Sequence, residues 1–185
     1  MGRVHAVCFD AFGTLIVRER GRVNPYMRLA GAERLPFMTR DVGVEVFAEE
    51  LGLSHLMPVI QHELSEELQS LRLYSDVDKV IRQLRARGKK IAVCSNLAHA
   101  YGPSVRDLLP GLDGYALSYE FGAAKPDPAI YQHVCNMLGS RPRDVLFVGD
   151  SRRCDLDGPQ SFGMQARLVD RSAGETLIDA LAGVI

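Results

Sequence analysis

The chain has 185 residues, 46% of them hydrophobic, and a formal net charge of −1 at pH 7. This length is typical of one compact domain with room for a small insertion, and the apolar fraction argues against disorder. Charges of both signs are spread along the chain, which excludes the broad basic face of a protein that binds nucleic acid or a membrane surface. We therefore expect a small-molecule substrate, no nucleic-acid partner and no membrane partner; composition says nothing of the oligomeric state.

The beginning of the chain and its cysteines bear on the cellular compartment. The apolar stretch near the N-terminus is about six residues long, too short for a signal peptide or a membrane span. The four cysteines show no zinc-type spacing and are interpreted as free thiols in a reducing compartment. These features predict a cytoplasmic protein.

Five short apolar runs are typical of strands buried on both faces of a parallel sheet. They fall at 4–9, 91–94, 116–119, 145–148 and 166–169. Helical patterns lie between them, including one that stops before Gly88 and one that begins after Asp127 and ends at Gly139. This alternation predicts an α/β fold with a Rossmann-like, doubly wound parallel sheet.

Residues 16–73 interrupt this rhythm. The segment has the amphipathic spacing of helices and is divided by Pro36 and Pro58. We interpret it as a small helical cap, inserted after the first strand into a core made of residues 1–15 and 74–185.

Polar residues follow four of the predicted strands. In a doubly wound sheet the carboxyl ends of the strands carry the chemistry, so we expect these residues to meet at one edge. They are Asp10 after the first strand, Ser95 and Asn96 after the second, Lys125 beyond the third, and Asp150 and Ser151 after the fourth.

These side chains form a coherent set for phosphoryl transfer. Asp10 and Asp150, with a backbone carbonyl, could hold one Mg²⁺, which prefers hard oxygen ligands. Lys125 and Ser95 would bind the remaining phosphoryl oxygens and offset charge in the transition state. Asp155 could anchor Lys125 or a metal-bound water. The expected catalytic residues are thus Asp10, Ser95, Lys125 and Asp155, and the expected substrate-binding residues are Thr14, Asn96 and Ser151.

Four segments, in this order, resemble the motifs of the haloacid dehalogenase-like superfamily: FDAFGTL, VCSN, GAAKPDPAIY and VLFVGDSRRCDLDGPQSFGM. The resemblance covers residues 4–15 and about 76–170, and the position of the cap is similar to that of the helical-cap group. It implies an aspartyl nucleophile at Asp10, substrate contacts from Ser95 and Lys125, and a metal ligand at Asp150. The backbone carbonyl of Phe12 would be a further ligand.

Phe12 departs from the phosphatases of this superfamily, which carry a second aspartate two residues after the nucleophile. That aspartate protonates the leaving oxygen and then activates water. A phenyl ring cannot transfer a proton, so general acid assistance of roughly 10²–10⁴-fold should be missing. The first interpretation is a Mg²⁺-dependent phosphatase restricted to small metabolites with good leaving groups, such as acyl or aryl phosphates.

The second interpretation is a metal-independent 2-haloacid dehalogenase, because halide leaves without being protonated. Similar dehalogenases carry FDAYGTL, so Phe12 differs from their tyrosine by one hydroxyl, and Tyr131 also matches their pattern. Asp150 opposes this interpretation, because two carboxylates without a metal would repel each other. An arginine near the start of the cap would also be required, and the candidates are Arg18, Arg20 and Arg40.

The third interpretation is a descendant that binds a ligand or a protein without catalysis. The loss of the proton-transfer group favours it. The retention of Asp10, Lys125 and Asp150 opposes it, because buried charges without a function are costly.

Overall fold

The computed structural model describes residues 4–17, 24–29 and 33–185. Within this part of the chain, five parallel strands form one sheet in the order β3-β2-β1-β4-β5. The predicted doubly wound α/β fold is therefore confirmed. The strands are β1 (Ala6–Phe9), β2 (Lys90–Ser95), β3 (Gly114–Leu117), β4 (Val145–Gly149) and β5 (Gln165–Leu168).

The third strand differs in position from the prediction of 116–119. It ends at Leu117 because Ser118 begins a helical turn, and the Ser118 hydroxyl accepts a hydrogen bond from the Leu97 N–H at 3.0 Å. The apolar side chain of Tyr119 thus belongs to a helix that packs against the core rather than to the strand.

In the described part of the segment between β1 and the next core helix, there are three α-helices. They are α1 (Leu35–Thr39), α2 (Val44–Glu50) and α3 (Met57–Ser70). The two connections to the core run side by side: Ile16 forms an antiparallel bridge with Leu73, and the Val17 N–H donates to the Arg72 carbonyl at 2.8 Å. This is the geometry of an insertion that leaves and re-enters the core at one place.

Helices cover both faces of the sheet. They are α4 (Val77–Ala86), α5 (Gly102–Leu108), α6 (Ser118–Phe121), α7 (Pro128–Leu138), α8 (Gly158–Phe162) and α9 (Leu177–Ala180). A π-helical turn, Arg152–Asp157, precedes α8. Of the helices in the described ranges, none combines the length and the apolar character needed to cross a membrane.

Alternate residues of the central strand face two apolar clusters. Ala6 and Cys8 pack with α7, whereas Val7 and Phe9 pack with α4, α5 and α9. The buried residues of α1, α2 and α3 belong to the second cluster, so the inserted helices share a continuous apolar core with that face of the sheet. Burial on both faces explains why β1 is apolar along its whole length.

Candidate active site

Asp10 is the first residue after β1 and is nearly buried, with 7% of its surface exposed. Its Oδ1 accepts hydrogen bonds from Ser95 Oγ at 3.1 Å and from Lys125 Nζ at 2.7 Å. No hydrogen bond to Oδ2 comes from the described residues. Two donors therefore fix the orientation of the carboxylate and leave one oxygen available for attack on a substrate.

Lys125 lies between two carboxylates in the interior. Its Nζ is 2.7 Å from Asp10 Oδ1 and 2.6 Å from Asp155 Oδ1, and 5.2 Å from the centre of the Phe147 ring. Burial alone would lower the pKa of Lys125, but the charges of Asp10 and Asp155 outweigh it and hold that pKa well above its usual range. The ammonium group is therefore a fixed positive charge beside the nucleophile.

Asn96 positions the loop that carries Lys125. Its Oδ1 accepts from the Lys125 N–H at 2.7 Å, and its Nδ2 donates to the Lys125 carbonyl at 2.8 Å. Both ends of the amide are thus engaged with protein backbone. The structure shows Asn96 holding Lys125, and its expected contact with substrate stays a prediction.

Asp155 is 1% exposed and lies in the π-helical turn Arg152–Asp157. One of its oxygens contacts Lys125, and the other accepts from the Ser151 N–H at 2.9 Å. Burial, and secondarily the charge of Asp10, raise the pKa of Asp155 against the opposing effect of Lys125. This geometry is the one that the predicted anchoring role requires.

The carboxylates of Asp10, Asp150 and Asp155 lie together, and one oxygen of each is within 4.8 Å of the other two. Lys125 supplies one positive charge against these three negative charges. Asp150 is exposed to solvent, but its carboxyl group lies beside those of Asp10 and Asp155. Loss of solvation, and then the charges of Asp10 and Asp155, raise the pKa of Asp150 to about 6.

This excess of negative charge, presented by hard oxygen donors, fits a divalent cation such as Mg²⁺. Asp10 and Asp150 would be the carboxylate ligands, and the ligation by the Phe12 backbone carbonyl stays a prediction. Asp155 would lie beside the ion, because both of its oxygens already accept hydrogen bonds.

Gly13 makes the close approach of Asp150 possible. Its φ is +82°, in the left-handed region, and a Cβ at this position would overlap the Asp150 carboxylate. The sharp turn after the nucleophile and the position of the second carboxylate therefore depend on the same residue.

A cavity of about 440 Å³ lies between the inserted helices and the core. Phe12 and Asn96 line it on the side of the nucleophile. Tyr26, Phe37, Glu67 and Tyr101 also line it. A volume of this size accommodates a small metabolite.

A model of the family described as haloacid dehalogenase-like hydrolase matches residues 4–163. The chain belongs to this family. Among its relatives, (S)-2-haloacid dehalogenase 4A of Burkholderia cepacia is 31% identical over 117 residues, which are 60% of this chain and 49% of that protein. A phosphatase of Mycobacterium tuberculosis is 36% identical over 109 residues, 56% of this chain and 48% of that protein. The chain spans about half the length of these curated relatives.

The fold is shared with a solved haloacid dehalogenase family enzyme of Bacteroides thetaiotaomicron in complex with magnesium and inorganic phosphate. The TM-score is 0.71 at 17% identity, over 90% of this chain and 94% of that chain. Relatives of both chemistries, dehalogenase and phosphatase, therefore match this member of the haloacid dehalogenase-like family.

Thr14 and Ser151, both expected to bind substrate, have the following surroundings in the structure. The Thr14 side chain is fully buried, and among the described residues its hydroxyl has no hydrogen-bond partner. The Ser151 hydroxyl accepts from the Cys154 N–H at 3.4 Å and so acts at the start of the π-helical turn. The contact with substrate expected of Thr14 and Ser151 stays a prediction.

Two residues considered for the dehalogenase interpretation, Tyr131 and Arg40, form hydrogen bonds within the protein. Tyr131 is fully buried, and its hydroxyl donates to the Cys154 carbonyl at 2.7 Å. Arg40 forms two hydrogen bonds of 2.7 Å with Glu50. The other two candidate arginines, Arg18 and Arg20, lie outside the described residues.

Glu67 is a residue of the cavity that the sequence interpretation missed. It follows Ile60 and Leu64 at helical spacing, so it occupies the apolar stripe of α3. A carboxylate on such a stripe is a signal that could have been read, because a charge is rarely placed toward the interior without a partner.

Proposed function

We propose that this chain is a Mg²⁺-dependent phosphatase for a small phosphorylated metabolite with a good leaving group. One observation carries the proposal: three carboxylates each have one oxygen within 4.8 Å of the other two, and among the described residues a single buried ammonium lies beside them. A divalent cation would offset the remaining negative charge and would give Asp150 a role as a metal ligand. A dehalogenase that works without metal gains nothing from that carboxylate.

In this proposal Asp10 Oδ2 attacks phosphorus, and the bond between phosphorus and the ester oxygen breaks. The leaving oxygen keeps the electron pair, and the phosphoryl group is carried on Asp10 until water releases it. In the structure Ser95 and Lys125 both donate to the other carboxylate oxygen. Lys125 has a third N–H that could donate to a phosphoryl oxygen, whereas the Ser95 hydroxyl would turn its single proton from Asp10 to the phosphoryl group. When bound, Mg²⁺ would mask the negative charge that otherwise repels the nucleophile.

Phe12 determines which esters react. Because its ring supplies no proton, the leaving group must depart as an anion, which favours phenols and carboxylic acids over alkanols. The same absence slows the attack of water on the phosphorylated Asp10. We therefore expect slow turnover even of good substrates.

The second candidate function is metal-independent dehalogenation of a 2-haloacid. Phe12 favours it, because a departing halide needs no proton, and the buried arrangement of Asp10, Ser95 and Lys125 suits either nucleophilic substitution. Arg40 does not support it, because that arginine is paired with Glu50.

The test is a side-by-side assay of an aryl phosphate, an acyl phosphate and 2-chloropropionate, each with Mg²⁺ and with a chelator. Release of phosphate that stops with the chelator is the expected result. Release of halide in the presence of the chelator would establish the dehalogenase instead. Absence of turnover in every assay would favour a binding protein.

A further inference from the structure

Glu67, in α3, lines the cavity that Phe12 and Asn96 also line. Its Oε2 accepts a hydrogen bond of 2.9 Å from the Tyr101 hydroxyl, and the residue is half-buried. Across the described ranges, this neutral phenol is the one hydrogen-bond donor to Glu67, and no ion pair neutralises it. A half-buried carboxylate with a neutral partner retains a strong preference for a cation.

The walls next to Glu67 are aromatic. The Tyr101 ring packs edge-on to Phe12, with centroids 5.6 Å apart, and lies 6.2 Å from Tyr26. Tyr26 in turn is 5.8 Å from Phe37. This row of rings begins at Phe12, two residues after the nucleophile, and ends at Phe37 in α1, so it gives the cavity an apolar, aromatic lining.

We propose that the cavity binds the leaving group of an aryl phosphate that carries a protonated amine. The inference rests on the proposed phosphatase function and specifies its substrate class. The aromatic ring of the substrate packs against Phe12 and Tyr101, and its ammonium group reaches Glu67. Phosphoryl transfer to Asp10 breaks the bond between phosphorus and the phenolic oxygen, and the phenolate departs with the electron pair.

Two properties of the site agree with this class, and one opposing charge is screened. A phenolate can leave without the proton that Phe12 does not supply. Aromatic faces and a carboxylate together attract an ammonium group more strongly than either does alone. Arg34 also lines the cavity, but it is exposed, so water and salt screen its opposing charge.

The experiment compares tyramine phosphate with 4-ethylphenyl phosphate. The two phenols are similar in shape, and they differ in the ammonium group. The wild-type chain should prefer the amine by about tenfold or more in kcat/KM, a preference typical of a partly desolvated charge pair with cation–π support. In Glu67→Gln, this ratio should fall close to one.

Glu66→Gln is the matched control. Glu66 directly precedes Glu67 in α3, its side chain is 54% exposed, and it contacts His62 at the surface. The variant removes the same charge from the same helix outside the cavity and should keep the wild-type ratio. Glu67→Asp, which retains the charge, should keep part of the preference if Glu67→Gln folds poorly.

Calorimetric titration with tyramine and with 4-ethylphenol tests the cavity without any phosphoryl transfer. If tyramine binds more tightly than 4-ethylphenol, and Glu67→Gln removes this difference, the inference is supported. Absence of phosphate-ester hydrolysis would then refute only the proposed phosphatase. Equal affinities together with equal kcat/KM values in the wild-type chain would overturn the inference and leave the phosphatase intact. An unchanged ratio of kcat/KM values in Glu67→Gln would contradict the inference, because Glu67 would then contact Tyr101 without recognising the ammonium group.

Discussion

The Asn96 side chain forms hydrogen bonds with both backbone polar groups of Lys125, at 2.7 Å to the N–H and 2.8 Å to the carbonyl. The residue that follows β2 thus fixes the loop that precedes α7. Since Lys125 is the cation that orients Asp10, the geometry of the nucleophile depends on an amide that need not touch the substrate.

Asn96→Ala should therefore affect both stability and turnover. Two backbone groups of Lys125 lose their partners, which should lower the free energy of unfolding by about 1–3 kcal/mol. Misplacement of Lys125 should reduce kcat for an aryl phosphate by about tenfold or more. Denaturant titration and phosphate release measure the two effects. Gln132→Ala, which removes an exposed amide bonded to Asn136, is the control and should change neither.

Gly13→Ala should weaken Mg²⁺ binding, and comparison with Gly52→Ala separates this effect from the loss of stability caused by backbone strain. The new Cβ would displace the Asp150 carboxylate, so the affinity for Mg²⁺ should fall by about tenfold or more, the effect expected for a disturbed ligand. Strain at positive φ should add a cost of about 1–2 kcal/mol. Gly52→Ala has the same kind of strain, with φ +68° and nothing within 4 Å of the added Cβ. Calorimetric titration of Mg²⁺ into both variants should show weakened binding only for Gly13→Ala; equal affinities would dissociate Gly13 from the metal site.

The sequence alone identified the strand ends that carry the site. Asp10, Ser95, Lys125 and Asp150 were predicted to meet because parallel strands end at one edge of the sheet, and the structure brings them to that edge. That rule concerns backbone topology, which apolar runs reveal well. The roles of these residues in catalysis remain predictions.

Side-chain orientation was beyond the reach of the sequence. Thr14 stands beside Gly13, yet its hydroxyl points into the core, and nothing in the local pattern indicates this. An asparagine such as Asn96 suits a substrate or a backbone loop equally well, because its amide both donates and accepts. The third strand was misplaced because an apolar run cannot distinguish a strand end from a buried helical turn.

Asp76→Asn should produce a stability difference that depends on pH. Burial tends to raise the pKa of Asp76, but hydrogen bonds from Arg171 and from the Leu177 N–H lower it below its ordinary value of 3.8. Because folding favours the ionised form, this stabilisation is complete well above pH 3.8 and is lost as pH falls through the folded pKa.

At pH 7 the variant should lose about 3 kcal/mol, the cost of breaking a largely buried ion pair. The difference from the wild-type chain should shrink at strongly acidic pH. Asp78→Asn, an exposed change on the same helix, is the control. Denaturant unfolding across this range checks the prediction, and a difference that does not vary with pH would contradict it.

Phe12→Asp should restore the missing proton donor. The rate on an alkyl phosphate should rise by up to roughly 10²–10⁴-fold in the presence of Mg²⁺. Phe12→Ala controls for loss of the ring and of its contact with Tyr101, and it should not raise that rate. Steady-state release of phosphate measures both variants. No gain in Phe12→Asp would favour the dehalogenase or the binding protein.

The most direct measurement concerns Asp10 itself. The protein is mixed with an aryl phosphate and Mg²⁺, quenched with acid and digested, and the masses of its peptides are measured by mass spectrometry. We expect the mass of one phosphoryl group on the peptide that contains Asp10, absent with a chelator and absent in Asp10→Asn, which should still unfold cooperatively. Undiminished release of phosphate by Asp10→Asn, or a phosphoryl group on another residue, would contradict the account.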